Sequence, residues 1–178
     1  MITMKFPHMV LNAEDYYGPH YKMWNTYTVP VSHVADSILA WTATVAKGAP
    51  GGKLGSLVIH CHGYEVNSHG GYGLQLGTGV QRHHTPLFGY LKGLVDEIYI
   101  VACKAAEISV PGTKGDGDGN LFCCEIAKNA GADVYASTAT QSPGFWNDLV
   151  GIPYGKIDDY EGDVYRWRAD GSCQRVRL

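Results

Sequence analysis

Residues 57–63, Leu-Val-Ile-His-Cys-His-Gly, end an apolar run on an imidazole, a thiol and a second imidazole, and follow them with a glycine. A second apolar run, Ile98-Tyr99-Ile100-Val101-Ala102, ends on Cys103. A thiol with an ordinary pKa near 8.5 becomes a useful nucleophile at neutral pH when a histidine takes its proton. Backbone N–H groups at a glycine can stabilise the oxyanion that attack on a carbonyl creates. His62 and Cys103 therefore have the roles of base and nucleophile open to them, with the amides of Gly63 and Cys103 as oxyanion donors. His60 is a candidate hydrogen-bonding support, and Asn67, Ser68 or His69 a candidate for orienting His62; the chain alone does not rank these.

The rival chemistry is a metal. His60 and His62 share a strand face, and His69, His83 and His84 could join them around a divalent ion. Against this, only Glu65 stands at a metal-like spacing to the pair, and the strand ending in Cys103 would be left without a task. No metal or other cofactor is expected. Residues 48–56, Gly-Ala-Pro-Gly-Gly-Lys-Leu-Gly-Ser, miss the phosphate-loop pattern by one residue and carry Leu54 where a Ser or Thr should bind magnesium. Asp116, Asp118 and Asn120 begin like a calcium loop, but Leu121 occupies the turn-glycine position and Ala127 the bidentate glutamate position. The five cysteines include an adjacent pair, Cys123-Cys124, and read as reduced thiols rather than a disulfide framework. Cys61 alternates away from His60 and His62 into the core. Cys123 and Cys124 read as helix packing residues, and Cys173 as exposed.

The elements that must position this chemistry alternate in type. Val34, Ile38, Trp41 and Val45 recur at helical spacing after a Ser32 cap, and Gly48, Pro50, Gly51 and Gly52 end the helix. A buried strand reaches His62-Gly63, and residues 71–80 form a small hairpin or extended loop. A second helix is read with Thr85 as cap and Pro86 in its first turn. The strand 97–103 follows, then a glycine-rich loop, a helix closed by Gly131 and a third strand, Ala132–Ser137. Residues 163–178 read as a β-hairpin about Asp170-Gly171. Its Arg166, Arg168, Arg175 and Arg177 lie on a solvated face, with Tyr165 and Trp167 inward. Residues 1–30 show no clear period and are expected to be an irregular lead-in or an edge strand. The alternation predicts an α/β fold with a largely parallel central sheet.

With 178 residues, 45% hydrophobic and 17% charged, the chain suits a single domain, 1–178, with its own core. A net charge of −3 gives no reason to expect nucleic acid or an anionic membrane as partner. No run of eighteen apolar residues and no signal-like start is present, so a cytoplasmic location is expected.

An apolar strand ending in His-Gly, then a later one ending in Ala-Cys, resembles the caspase-like cysteine peptidases of clan CD. Residues 119–138, Gly-Asn-Leu-Phe-Cys-Cys-Glu-Ile-Ala-Lys-Asn-Ala-Gly-Ala-Asp-Val-Tyr-Ala-Ser-Thr, are similar to the segment after the cysteine in bacterial caspase-like domains of the CHAT type. The resemblance covers roughly residues 33–140. It implies a caspase-haemoglobinase-like sandwich, with helices flanking the sheet, and endopeptidase activity through a thioester without a metal. It carries His62 and Cys103 over as the dyad acting on a protein or peptide substrate. The glycine-rich loop stands where relatives have substrate-binding or self-cleaved loops, which makes Lys114, Asp116 and Asp118 candidates for that role. Val101 before Ala102-Cys103, and Lys104-Ala105 after, depart from the caspase pattern, so recognition of aspartate is not implied. Oligomeric state is left open, as is the alternative of a non-catalytic interaction module on the same fold.

Overall fold

Residues 54–60 are buried without exception, which is how a strand covered on both faces of a parallel sheet must look. In chain order the strands are β1 (Ile2–Thr3), β2 (His8–Ala13), β3 (Asn25–Val29), β4 (Leu54–His60), β5 (His62–Tyr64), β6 (Gly73–Gln75), β7 (Val95–Val101), β8 (Asp133–Ser137), β9 (Lys156–Ile157), β10 (Val164–Trp167) and β11 (Cys173–Val176). Helices α1 (Ala35–Gly48) and α2 (Gly119–Ala130) and a 3-10 segment, Arg82–Leu91, complete the set. The computed structural model describes residues 1–64, 73–107, 118–141 and 151–178. Asn67, Ser68, His69, Glu65, Lys114 and Asp116 lie outside them.

The main sheet has seven strands in the order β11-β10-β8-β7-β4-β2-β3. The run from β3 through β2, β4 and β7 to β8 is parallel, and β10 and β11 are antiparallel additions. The chain leaves β2 toward one edge and returns at β4 to build toward the other. The sheet therefore reverses direction between β2 and β4, the position where ligands bind in open α/β sheets.

One face of the sheet, with Leu11, Leu57, Ile59, Ile98 and Ile100, packs against Ile38 and Leu39 of α1, Phe88 of the 3-10 segment and Phe122 and Ile126 of α2. The other face, with Val10, Val58, Tyr99 and Tyr135, is covered by Met4, Tyr21, Met23 and Ile157. Among the described residues all the helical cover is on the first face. The expected flanking by helices is thus one-sided there, and extended chain does the work on the second.

Residues 1–30 supply the edge strand that is one of the two expectations for them, and a second strand of the main sheet besides. β2 lies inside the sheet and β3 forms its edge. His8 and Asn12 interrupt the apolar pattern of β2 and hide it, yet both are satisfied: His8 Nδ1 accepts from Trp24 N–H at 2.9 Å, and the Asn12 amide bonds Tyr21. Helix α1 begins at Ala35 with no side-chain cap, and its face is rotated from the expected one. Val34 (52% exposed) and Trp41 (48%) stand outside, while Ala35, Ile38, Leu39, Thr42, Ala43 and Ala46 are buried. Small residues at helical spacing allow close approach to the sheet, which the larger side chains would prevent. Thr85 caps nothing; its hydroxyl bonds Arg82 O and Glu125 within the 3-10 segment's contact with α2.

The hairpin of β10 and β11 pairs Val164 with Val176 and Trp167 with Cys173. Trp167 is buried, as expected, and its Nε1–H donates to Asn120 Oδ1 at 2.7 Å. The arginines are not uniformly solvated: Arg166 pairs with Asp133 and lies over the Tyr135 ring, and Arg175 pairs with Asp163 at 2.5 Å. Among the described residues no helix is long and apolar enough to cross a membrane.

Candidate functional site

β4 and β7 are hydrogen-bonded neighbours, with His60 opposite Val101 in the register. Their carboxyl ends emerge side by side. Beyond His60 the chain leaves the main sheet at Cys61, whose N–H donates to Val101 O at 3.2 Å, and His62 opens β5, which pairs with β6. Beyond Val101 it enters a turn at Ala102 and Cys103. The strand expected to run to Cys103 therefore stops at Val101, and both reactive residues sit past the sheet's rim.

The two rims touch. A Cβ on Gly63 would lie 2.9 Å from the carbonyl carbon of Cys103 and 3.3 Å from its nitrogen, and closest of all to its carbonyl oxygen. Only a residue without a Cβ lets these backbones meet. The glycine after His62 is thus explained by the approach of Cys103, two chain segments 40 residues apart closing on each other.

Cys103 is half-buried, and its thiol donates to Gln141 O at 3.5 Å. Lys104 follows with φ 53°, an uncommon conformation for a residue bearing a side chain. The reversal it makes lets Lys104 N–H and Ala106 N–H bond Ala139 O and Ser137 O at 2.9 and 3.0 Å. Those amides are engaged, and the chain just past β8 thereby holds the cysteine turn in place.

His60 is the most constrained group of the site. Its ring is 3% exposed and lies 4.1 Å from the Tyr16 ring and 4.4 Å from the Tyr21 ring, centroid to centroid. Asn12 Nδ2 donates to Tyr21 O at 3.0 Å, and Asn12 Oδ1 accepts from Tyr21 N–H at 3.2 Å, which orients the amide. The same Oδ1 is 3.0 Å from His60 Nδ1. An oxygen there requires the proton on Nδ1, so Nε2 carries a lone pair. Burial, with smaller contributions from nearby His20 and His62, pushes the ring down to about 3. The Tyr16 ring also touches His62, at 4.8 Å, and so bridges the two histidines.

A buried histidine held neutral has a consequence for stability. The folded chain resists the proton that the unfolded chain accepts near the ordinary value of 6.5, so stability rises with pH across the interval between about 3 and 6.5 and is lost as pH falls through it. Lowering pH from about 7 to about 5 is expected to cost about 2 kcal/mol from this group, read from urea unfolding. In His60→Gln that increment should disappear; an unchanged slope would assign the acid sensitivity elsewhere.

The remaining expectations divide. Cys61 is buried on the helix side of the sheet, where burial raises its thiol, as does that of Cys123. Cys173 is exposed. Asp118, expected in a substrate loop, is the N-cap of α2: its Oδ1 accepts from Asn120 N–H at 2.9 Å and Leu121 N–H at 3.3 Å. Asn67, His69, Lys114 and Asp116 fall outside the described residues. Among the described residues no three His, Cys, Asp or Glu side chains are grouped to hold a metal, and His83 and His84 contact each other on the 3-10 segment.

The chain alone gave no sign of the cleft beside the cysteine turn. It is small, about 20 Å³, and Tyr16, Tyr21, His60, Val101, Gln141 and Asp158 are among the residues lining it. Tyr21 O–H reaches Asp158 Oδ2 at 3.5 Å across 137 positions of sequence, a pairing no local pattern announces.

Fold and site together define an α/β protein with a cysteine and a histidine at the touching carboxyl ends of neighbouring parallel strands. No protein-family model, curated protein or solved structure matches the chain.

Proposed function

We propose that the protein is a caspase-like cysteine endopeptidase, with Cys103 as nucleophile and His62 as general base. The observation that carries this reading is the backbone contact between Gly63 and Cys103. It puts the residue that follows the base against the residue that bears the sulfur, at a rim with a cleft beside it.

The thiol proton passes to the His62 imidazole, and the sulfur attacks the scissile carbonyl carbon. The carbonyl oxygen becomes an oxyanion, for which the Gly63 and Cys103 amides are the candidate donors. Collapse breaks the C–N bond, and the imidazolium returns its proton to the leaving amine. The thioester left on Cys103 is hydrolysed by a water whose proton His62 accepts, and the acid product departs as that proton returns to sulfur. The thiol donates to Gln141 O, and that hydrogen bond has to be exchanged for one to the imidazole before attack; such bonds often tighten only with substrate bound.

The same Gln141 contact favours a second reading, a non-catalytic caspase-like module whose thiol is tied to a carbonyl. A peptidyl acyloxymethyl ketone panel separates the two. Covalent labelling at Cys103, lost in Cys103→Ala and in His62→Ala, supports the peptidase, and silence of the unmodified chain across varied peptides supports the module.

A further inference from the structure

We infer that Tyr16 is the positioning residue for the base: its ring, in contact with the imidazoles of both His60 and His62, sets the plane in which His62 meets the Cys103 thiol. This rests on the dyad reading of Cys103 and His62, and adds the residue that holds the base.

The need arises from where His62 stands. It opens β5, a strand of three residues paired with an equally short β6, one residue beyond the end of β4. The pairing of β5 with β6 and the approach of Gly63 to Cys103 fix its main chain. They leave its ring free to turn, because the second side-chain torsion of a histidine is broad rather than confined to staggered wells. A half-buried imidazole in such a place needs a neighbour to select one orientation. The Tyr16 ring stands 4.8 Å from it, centroid to centroid, with the planes 38° apart.

Tyr16 can make that selection because its own ring is held from several directions. Its N–H donates to Ala13 O at 3.2 Å, so the tyrosine follows β2 within one tight turn. Its ring lies 4.1 Å from that of His60. His60 is in turn fixed: Asn12, its partner in the pairing of β2 with β4, accepts its Nδ1–H, and the Tyr21 ring packs 4.4 Å from it. The chain then comes back against the tyrosine at Gly18, where a Cβ would lie 2.5 Å from Tyr16 Cε1. Order runs from the sheet outward, Asn12 to His60 to Tyr16 to His62, each group set by the one before.

The same ring suits the charge that the reaction creates. The face of a tyrosine attracts a cation, here the imidazolium formed when His62 takes the thiol proton. His60, neutral and against the same ring, adds no like charge. Both effects belong to the ring rather than to the hydroxyl, so phenylalanine keeps them and leucine, apolar but without a π face, loses them.

The test uses the full chain, the peptidyl acyloxymethyl ketone that labels it fastest, and the variants Tyr16→Phe, Tyr16→Leu and Gly18→Ala. Addition at Cys103, followed by mass spectrometry at several probe concentrations, gives a maximal rate and a half-saturating concentration. Tyr16→Leu is expected to lower the maximal rate by about 10–100-fold and to leave the half-saturating concentration within about twofold, since the base is misplaced while the probe still binds. Tyr16→Phe should stay within about threefold of the unmodified chain. Gly18→Ala keeps every side chain of the site and pushes the tyrosine ring aside, so it should lower the maximal rate in the same way, with urea unfolding as the check that the fold is intact. In proton–carbon NMR spectra the His62 ring resonances, identified by their loss in His62→Ala, should move in Tyr16→Leu and Gly18→Ala and stay in place in Tyr16→Phe; this ring-current signature reads the contact without any probe. An unaltered maximal rate in Tyr16→Leu, equal losses in Tyr16→Phe and Tyr16→Leu, or unmoved His62 resonances overturn the assignment and leave the dyad standing. An unmodified chain that no probe labels removes the dyad and the positioning role with it.

Discussion

Cys103→Ala is expected to reduce cleavage of a peptide substrate to the residual rate of a bound but unattacked amide, a loss of at least ~10⁴-fold in kcat/KM. No other described thiol stands at the rim: Cys61 and Cys123 are buried on the helix side of the sheet, Cys124 lies against the tail hairpin at Gly171 O, and Cys173 is on β11. His62→Ala should cost about 10²–10⁴-fold at neutral pH, the usual contribution of a positioned base. On the proposed mechanism the two groups act in one step, so the double variant should be scarcely worse than Cys103→Ala alone. Full activity in Cys103→Ala or in His62→Ala would remove the dyad from the mechanism.

Gly63→Ala should also damage activity, although it changes no reactive group. The added methyl meets the main chain of Cys103, and main chain cannot rotate away as a side-chain tip can. The rims of β4 and β7 must part by something near 1 Å, a displacement that costs about 100-fold in rate when reacting groups depend on it. Stability should fall by about 1–3 kcal/mol, as for other overpacked sites. The comparison is Gly48→Ala, where a new Cβ meets nothing within 4 Å, and where a helix residue should if anything gain stability. Probe labelling and urea unfolding, measured on both variants, separate misplacement from unfolding. A Gly63→Ala protein that labels at the unaltered rate would mean that the contact has no bearing on chemistry.

How much of this was legible beforehand depended on whether the controlling interaction was local. Apolar runs and turn residues located β4, β7, β8, α2 and the terminal hairpin, because each is specified by residues a few positions apart. Gly131 closes α2 with φ 63°, as its position after the last apolar turn suggested. β2 was missed because the polar His8 and Asn12 break its pattern, and the partners that satisfy them, Trp24 and Tyr21, come later in the chain. The buried face of α1 was misread because large side chains outweigh alanines in a hydrophobic pattern, while close packing against a sheet favours the alanines. Asp118 was read as a loop carboxylate although its place just before a helical run is that of a cap.

From the residues alone one obtains an α/β alternation and two apolar strands ending in His62-Gly63 and Cys103, because strand formation and termination are short-range matters. Only the folded chain brings those ends into contact, leaves glycine no substitute at position 63, fixes the tautomer of His60 through Asn12 across 48 residues, and carries Asp158 into the cleft. These are contacts between segments remote in sequence. Their energy depends on how the layers pack, and a linear pattern does not contain that information.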